Sequence, residues 1–222
     1  MNTLPSLTVE NYVKAIYQIC VQQGGEPAAT GQLAAALGVS PGTVTSMLKT
    51  LSESNLAEYT PHHGAKLTSS GDALALRVVR RHRLIELFLV RTLDLTWDEV
   101  HDEAEHMEHA VSDLLVDRID SYLGFPDTDP HGDPIPRADG SVQSHPSRSL
   151  ASCNEGERFR LIRVLDQSPE FLRYLTAAEI FPGTQGRVVA NRTEAGLLSV
   201  EVAGQVTSLG RDVAEKLLVA ET

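Results

Sequence analysis

The stretch TGQLAAALGVSPGTVTSMLKTLSES, Thr30 to Ser54, sets the architecture of the N-terminal third of the chain. Thr30 can cap a short helix through Leu37, Gly38-Val39 makes a tight turn, and Ser40 followed by Pro41 opens a second helix to about Ser54. The small residues Ala34, Ala35 and Ala36 let two helices cross closely. This is the pattern of a helix-turn-helix. The N-terminal half of its second helix is where base edges of a major groove are met. Ser40, Pro41, Gly42, Thr43 and Ser46 occupy that half, and Thr30 and Lys49 complete the expected DNA-facing set. An ordinary capped helical hairpin has a similar signature, so the neighbours matter. Downstream, Ala57–Thr60 and Ala65–Thr68 read as short strands around Pro61-His62-His63-Gly64, which makes a wing. His62 and His63 at the wing tip could touch phosphate, although adjacent loop histidines are more often idle. Upstream, Val9 to Gln23 carries Tyr12, Val13, Ile16, Tyr17 and Ile19 at helical spacing and stops at Gly24-Gly25.

Beyond the wing, helices are expected from Ser70 to about Phe88 and from Trp97 to Tyr122, the second capped by Asp94-Leu95-Thr96. Between Gly124 and Leu150 the composition turns to Pro, Gly, Asp, His and Ser, which reads as a linker with little structure of its own. From Cys153 to Thr222, short alternating runs such as Phe159–Val164 and Gly186–Ala190 predict a small β-barrel. The expected division is therefore 1–72, a winged helix-turn-helix; 73–140, a helical domain; 141–152, a linker; and 153–222, a small β domain.

The 222 residues carry a net charge of -11, an awkward balance for meeting phosphates. Met1 to Ala75 holds three lysines against five acids, and Leu76 to Leu123 eleven acids against six arginines. A divalent cation on clustered carboxylates would offset that charge. The plain alternative is a solvated acidic surface. No apolar run is long enough for a membrane span and no signal peptide is indicated, so a cytoplasmic protein is expected. Cys20 and Cys153 are far apart and belong to no close-spaced pair, which argues against a disulfide or thiolate-zinc scaffold.

Val100 to His109 is the chemically richest segment. On a helix His101, Glu105, Glu108 and His109 share a face, a ready set of nitrogen and oxygen ligands. Val100, Ala104, Met107, Val111 and Leu114 make an adjoining apolar stripe, and His106 points to solvent. His82 and Glu86 are four apart on the preceding helix and would approach the same cluster. Imidazole and carboxylate without thiolate suit manganese, iron(II) or zinc, and the carboxylate excess tilts toward manganese. A metallohydrolase would use such a cluster with an open coordination position, but no general base or nucleophile motif stands out beyond the ligands. A metal-storage protein would bind metal without affinity for DNA.

These elements together resemble the family of metal-dependent regulators that includes the diphtheria toxin repressor and the manganese transport regulators. The resemblance runs from Thr8-Val9-Glu10-Asn11-Tyr12 through the winged helix, Arg81-His82-Arg83-Leu84 to Glu86, His101-Asp102-Glu103-Ala104-Glu105 and Glu108-His109. It continues into Asp129-Pro130-His131-Gly132 and Pro134-Ile135-Pro136. It implies a mainly α chain with small β: a winged helix-turn-helix, a helical dimerisation domain and a C-terminal SH3-like (FeoA-like) β-barrel. It also implies a homodimeric repressor of metal-homeostasis genes that binds double-stranded DNA at a palindromic operator. By position, Glu105, Glu108 and His109 match the main regulatory site, completed by Asn11 of the first helix. His82, Glu86 and His101 match an ancillary site to which the C-terminal domain adds side chains, here Asp166, Gln167 or Glu170. Glu105 in place of a cysteine resembles the manganese-responsive branch, with Mn2+ as expected cofactor, Fe2+ the alternative, and Zn2+ or Cd2+ able to substitute in vitro. Asn11 and Lys14 stand where dinuclear members offer carboxylates, so a closely paired dinuclear site is not expected.

Overall fold

A computed structural model describes residues 6–143 and 146–221. Residues 1–5, 144–145 and 222, which the expected domain and linker boundaries include, lie outside it. Chain contacts divide the described residues into two compact units, those up to 81 with 136–141, and those of 82–135 with the described residues from 142 onward.

In the first unit α1 (Leu7–Gln22), α2 (Thr30–Leu37) and α3 (Pro41–Glu53) precede the wing strands β1 (Ala57–Thr60) and β2 (Gly64–Leu67). The strands pair antiparallel, Ala57 opposite Leu67 and Thr60 opposite Gly64. Tyr12, Val13, Ile16, Leu33, Val44, Leu48 and Leu51 are buried together and fix the three helices around one core. Thr30 is the first residue of α2 rather than its cap; Ala29 holds the cap position, and its backbone N–H donates to the Gln32 side chain at 3.0 Å. Gly38 ends α2 at a φ of 64°, in the left-handed region where glycine costs least. Ser40 then accepts from the Thr43 N–H at 3.2 Å, with Pro41 in the first turn of α3.

Helix α4 (Ser69–Leu93) extends the predicted helix by more than a turn and carries Arg81 in the first unit and His82 in the second. The single helix expected over Trp97–Tyr122 is instead two, α5 (Val100–Met107) and α6 (Asp113–Tyr122). The break is encoded by Ser112, which is extended and whose hydroxyl accepts from the Leu115 N–H, capping the start of a new helix. The predicted apolar stripe breaks with it: Val100 and Ala104 are buried, whereas Leu114 is exposed.

Gly124–Leu150 is not a structureless linker over its first half. Asp129, His131, Gly132, Asp133 and Ile135 are buried, and Asp129 Oδ1 accepts from the backbone N–H groups of His131 (2.8 Å) and Asp133 (2.9 Å). A polar composition disguised a turn whose side chains satisfy their own backbone. Gly132 sits at a φ of 86°, and a Cβ there would collide with the Ile162 carbonyl.

The C-terminal part of this unit is a six-stranded antiparallel sheet in the order β3-β8-β4-β5-β6-β7. Its strands are β3 (Arg148–Ser149), β4 (Arg158–Val164), β5 (Gln185–Arg192), β6 (Leu197–Val202), β7 (Gln205–Gly210) and β8 (Leu217–Glu221). The helices α7 (Pro169–Ala177) and α8 (Arg211–Glu215) accompany it. Alternate residues, among them Phe159, Leu161, Val188, Leu198, Val200 and Val219, fill its core. Trp97 joins that core, and its indole N–H donates to Thr176 Oγ1 at 2.9 Å, anchoring the sheet domain to the segment before α5.

Candidate metal centre and DNA-facing helix

Helical spacing places His82 and Glu86 on one side of α4, and His101 and Glu105 on one side of α5. Packing then makes the two pairs meet. His82 Nδ1 lies 2.6 Å from Glu108 Oε2 and 4.0 Å from Glu105 Oε1. On the other edge of the ring, His82 Nε2 lies 3.0 Å from Glu86 Oε1 and 3.3 Å from His101 Nδ1. His82, Glu86 and Glu108 are buried, whereas His101 and Glu105 are partly open to solvent, an access route for a cation. His109 is not on α5 but in the turn after it, its Nε2 3.3 Å from Glu108 Oε1.

A third group was missed from sequence. Glu86, Asp129 and His131 are all buried and bring donor atoms within ligating distance of one another. His131 Nε2 is 2.8 Å from the Trp97 carbonyl, which can only accept, so that nitrogen holds the hydrogen. Its Nδ1 is buried with no hydrogen-bond partner, 3.9 Å from Glu86 Oε2. The Asp129-Pro130-His131 motif was visible, but nothing local pairs it with a residue more than forty positions earlier.

The electrostatics fit a cation. Burial would push the Glu86 carboxyl up, but the charge of His82, hydrogen bonds from His101 and His82, and the charge of His131 together hold it well below the ordinary carboxylate range. Asp129 is pushed well above that range, by burial first and then by repulsion from Asp133 and Glu86, with Arg83 only partly offsetting them. An orphaned imidazole nitrogen beside mutually repelling carboxylates is the donor set a divalent ion satisfies. Every donor is nitrogen or oxygen, which suits manganese, iron(II) or zinc. Both cysteines are free thiols and belong to none of the donor groups.

The residues expected from the C-terminal domain lie elsewhere. Asp166 pairs with Lys216 Nζ at 2.8 Å and accepts from the Ser168 N–H. Gln167 Nε2 donates to Asp133 Oδ2 at 2.6 Å, and Glu170 is exposed in the first turn of α7. Neither Asp166 nor Glu170 enters a group of three close donors among the described residues. Asn11 is on α1, in the other unit, its side-chain oxygen buried without a hydrogen-bond partner.

On the DNA-facing set, the cap residue Ser40 and Pro41, Gly42, Thr43, Ser46 and Lys49 of α3 are all exposed, and Thr30 is half-buried at the start of α2. His62 and His63 are exposed at the wing tip. Ser40 and Thr43 hydroxyls lie 2.9 Å apart and present polar groups at the helix N-terminus, where backbone N–H groups and the dipole attract phosphate. No helix among the described residues is long and apolar enough to cross a membrane.

Comparison with known proteins agrees with this geometry. Residues 6–65 match the N-terminal DNA-binding domain of iron-dependent repressors, 68–137 their metal-binding and dimerisation domain, and 148–221 the FeoA domain, the SH3-like element. A solved manganese-dependent transcriptional repressor in complex with manganese is 42% identical, covers 96% of this chain and 100% of its own, and superposes with a TM-score of 0.88. The iron-dependent repressor IdeR of Mycobacterium tuberculosis is 35% identical over 129 residues, 58% of this chain, so the match spans 55% of that relative's length. The regulator MntR of Oceanobacillus iheyensis is 32% identical over 122 residues, 55% of this chain and 81% of its own. The chain belongs to the family of metal-dependent transcriptional repressors that includes the diphtheria toxin repressor and the manganese-dependent regulators.

Proposed function

We propose that this protein is a manganese-activated, homodimeric repressor that binds a palindromic operator in the cytoplasm and controls metal-homeostasis genes, with no enzymatic activity. The observation that carries the reading is the sulfur-free cluster of His82, Glu86, His101, Glu105 and Glu108, accompanied by an exposed recognition helix in the same chain. Glu105, Glu108, His109 and Asn11 are assigned to the regulatory site, and His82, Glu86 and His101, extended by Asp129 and His131, to the ancillary donors. Asp166, Gln167 and Glu170 are assigned supporting roles from the C-terminal domain, with Gln167 acting through Asp133.

The ligands belong to the helical part and to α1, so an ion binds best in the conformation where both sets converge. That conformation sets the two recognition helices of a dimer about 34 Å apart, one turn of DNA. A divalent charge on the acidic helices also lowers the repulsion of phosphate. Iron(II) is the serious alternative, since iron-dependent repressors are among the relatives.

Gel retardation of an operator duplex tests this. Manganese should promote retardation by the natural protein, and Glu108→Ala should abolish the manganese dependence. Unchanged retardation by the variant would overturn the assignment.

A further inference from the structure

A cavity of about 750 Å³ opens between the C-terminal half of α4, residues 95–98, Pro130 and the end of α7. None of its lining residues belongs to the donor groups or to the recognition helix. Its walls are mostly apolar, with Leu87 and Val90 of α4, Leu95, the buried Trp97, and Phe181 beyond α7. Trp97 is fixed in place before any ligand arrives. Its indole N–H is held by Thr176, its ring stacks on His131 with centroids 5.9 Å apart, and the Phe181 ring leans on it at 5.3 Å. Concave sites of roughly 300–1,000 Å³, apolar with a few polar groups, are the usual form of a small-molecule site.

The polar groups at this site decide what kind of molecule fits. Asp98 and Arg173 neutralise each other, Oδ2 to Nε at 3.3 Å, and Arg173 Nε also donates to the Pro169 carbonyl at 3.0 Å. The Thr176 hydroxyl is already engaged, accepting from Trp97 and donating to the Leu172 carbonyl at 2.9 Å. That leaves Arg91, in the last turn of α4, exposed and with no side-chain hydrogen bond or ion pair among the described residues. We propose that this cavity binds an amphipathic carboxylate, its apolar tail against Leu87, Trp97 and Phe181 and its head on Arg91. A guanidinium holds a carboxylate through two parallel N–H···O bonds. A cationic amphiphile would meet Arg91 with like charge. A second copy of the chain would have to cover that unpaired guanidinium together with the apolar walls, which is costly. The cavity thus adds a site for a small organic anion to a chain whose other sites take a metal ion and DNA.

Trp97 is the only tryptophan in the sequence, so its fluorescence reports occupancy directly. The full-length protein is titrated with decanoate, decanol and decylammonium below their aggregation concentrations, and bound decanoate is counted by equilibrium dialysis. Decanoate should change the emission saturably at one molecule per chain and bind more tightly than decanol, with decylammonium the weakest. Arg91→Gln should weaken decanoate about fivefold, the scale of an exposed charge pair, and leave decanol unchanged. Val90→Phe, which fills the cavity, should remove all three responses; should it fail to fold, the contrast at Arg91 decides. No saturable response to decanoate, equal affinity for decylammonium, or an unchanged decanoate affinity in Arg91→Gln would overturn the proposal. Emission that varies with protein concentration alone and ignores decanoate would show a second copy seated on the cavity, and would overturn it too.

Discussion

Nδ1 of His131 faces Oε2 of Glu86 across 3.9 Å, and both side chains are sealed from solvent. The ring cannot turn away, because Nε2 is tied to the Trp97 carbonyl and the ring stacks on the Trp97 indole, centroids 5.9 Å apart. The pair therefore holds a fixed gap at the meeting point of α4, the Asp129–Asp133 turn and the sheet domain.

The acidic side of that gap is predicted to make metal-free stability depend on pH. Asp129 favours its neutral form in the folded chain, so its contribution is complete below the ordinary carboxylate range and is lost as pH rises through the raised value. Glu86 has the opposite sign: its contribution is complete above the ordinary carboxylate range and is lost progressively as pH falls below it. In excess chelator the melting temperature should fall from about pH 4 toward neutrality more steeply in the natural protein than in Asp129→Asn. Equal slopes would show that Asp129 is not strained.

Gly132→Ala is predicted to dislodge the same turn. The substitution strains a positive φ, worth about 1–3 kcal/mol, and drives a methyl group into the Ile162 carbonyl. Chemical denaturation should report a loss of at least that size, accompanied by weaker manganese retention. Natural stability together with weakened retention would contradict the steric argument.

On the DNA side, Lys49→Ala removes an exposed cation from α3, where lysines are scarce. Operator affinity should drop by a similar factor for different duplex sequences, and the salt dependence should lose a slope of about one. A sequence-selective loss with an unchanged slope would mean that Lys49 reads bases rather than phosphate.

Glu105→Cys exchanges a hard oxygen at the solvent-open edge of the cluster for a thiolate. Activation by zinc and iron(II) should strengthen relative to manganese in DNA-binding titrations. An unchanged metal order would place Glu105 outside the coordination sphere.

Much of this was legible in the sequence where information is local. The Ser40-Pro41 start of α3, the wing around His62 and the four-residue spacing of His82 with Glu86 and His101 with Glu105 depend only on helix and turn chemistry. Features that failed depend on tertiary context. The break at Ser112 hid in a continuous helical pattern, so Leu114 was assigned to a buried stripe it does not join. The Asp129–His131 group lay in a stretch whose polar composition reads as linker until Glu86, Trp97 and Arg83 are packed against it. Helix α7 went unread because Pro169 opens a short segment between strands that resembles a loop.

The central claim is that metal creates the DNA-binding state, and fluorescence anisotropy of a labelled operator duplex measures it directly. One sample of the protein is titrated first in excess chelator and then with manganese restored at constant ionic strength. The account predicts binding close to the non-specific level without metal and tight, saturable binding with it. Equal affinity in both halves of the titration would contradict it.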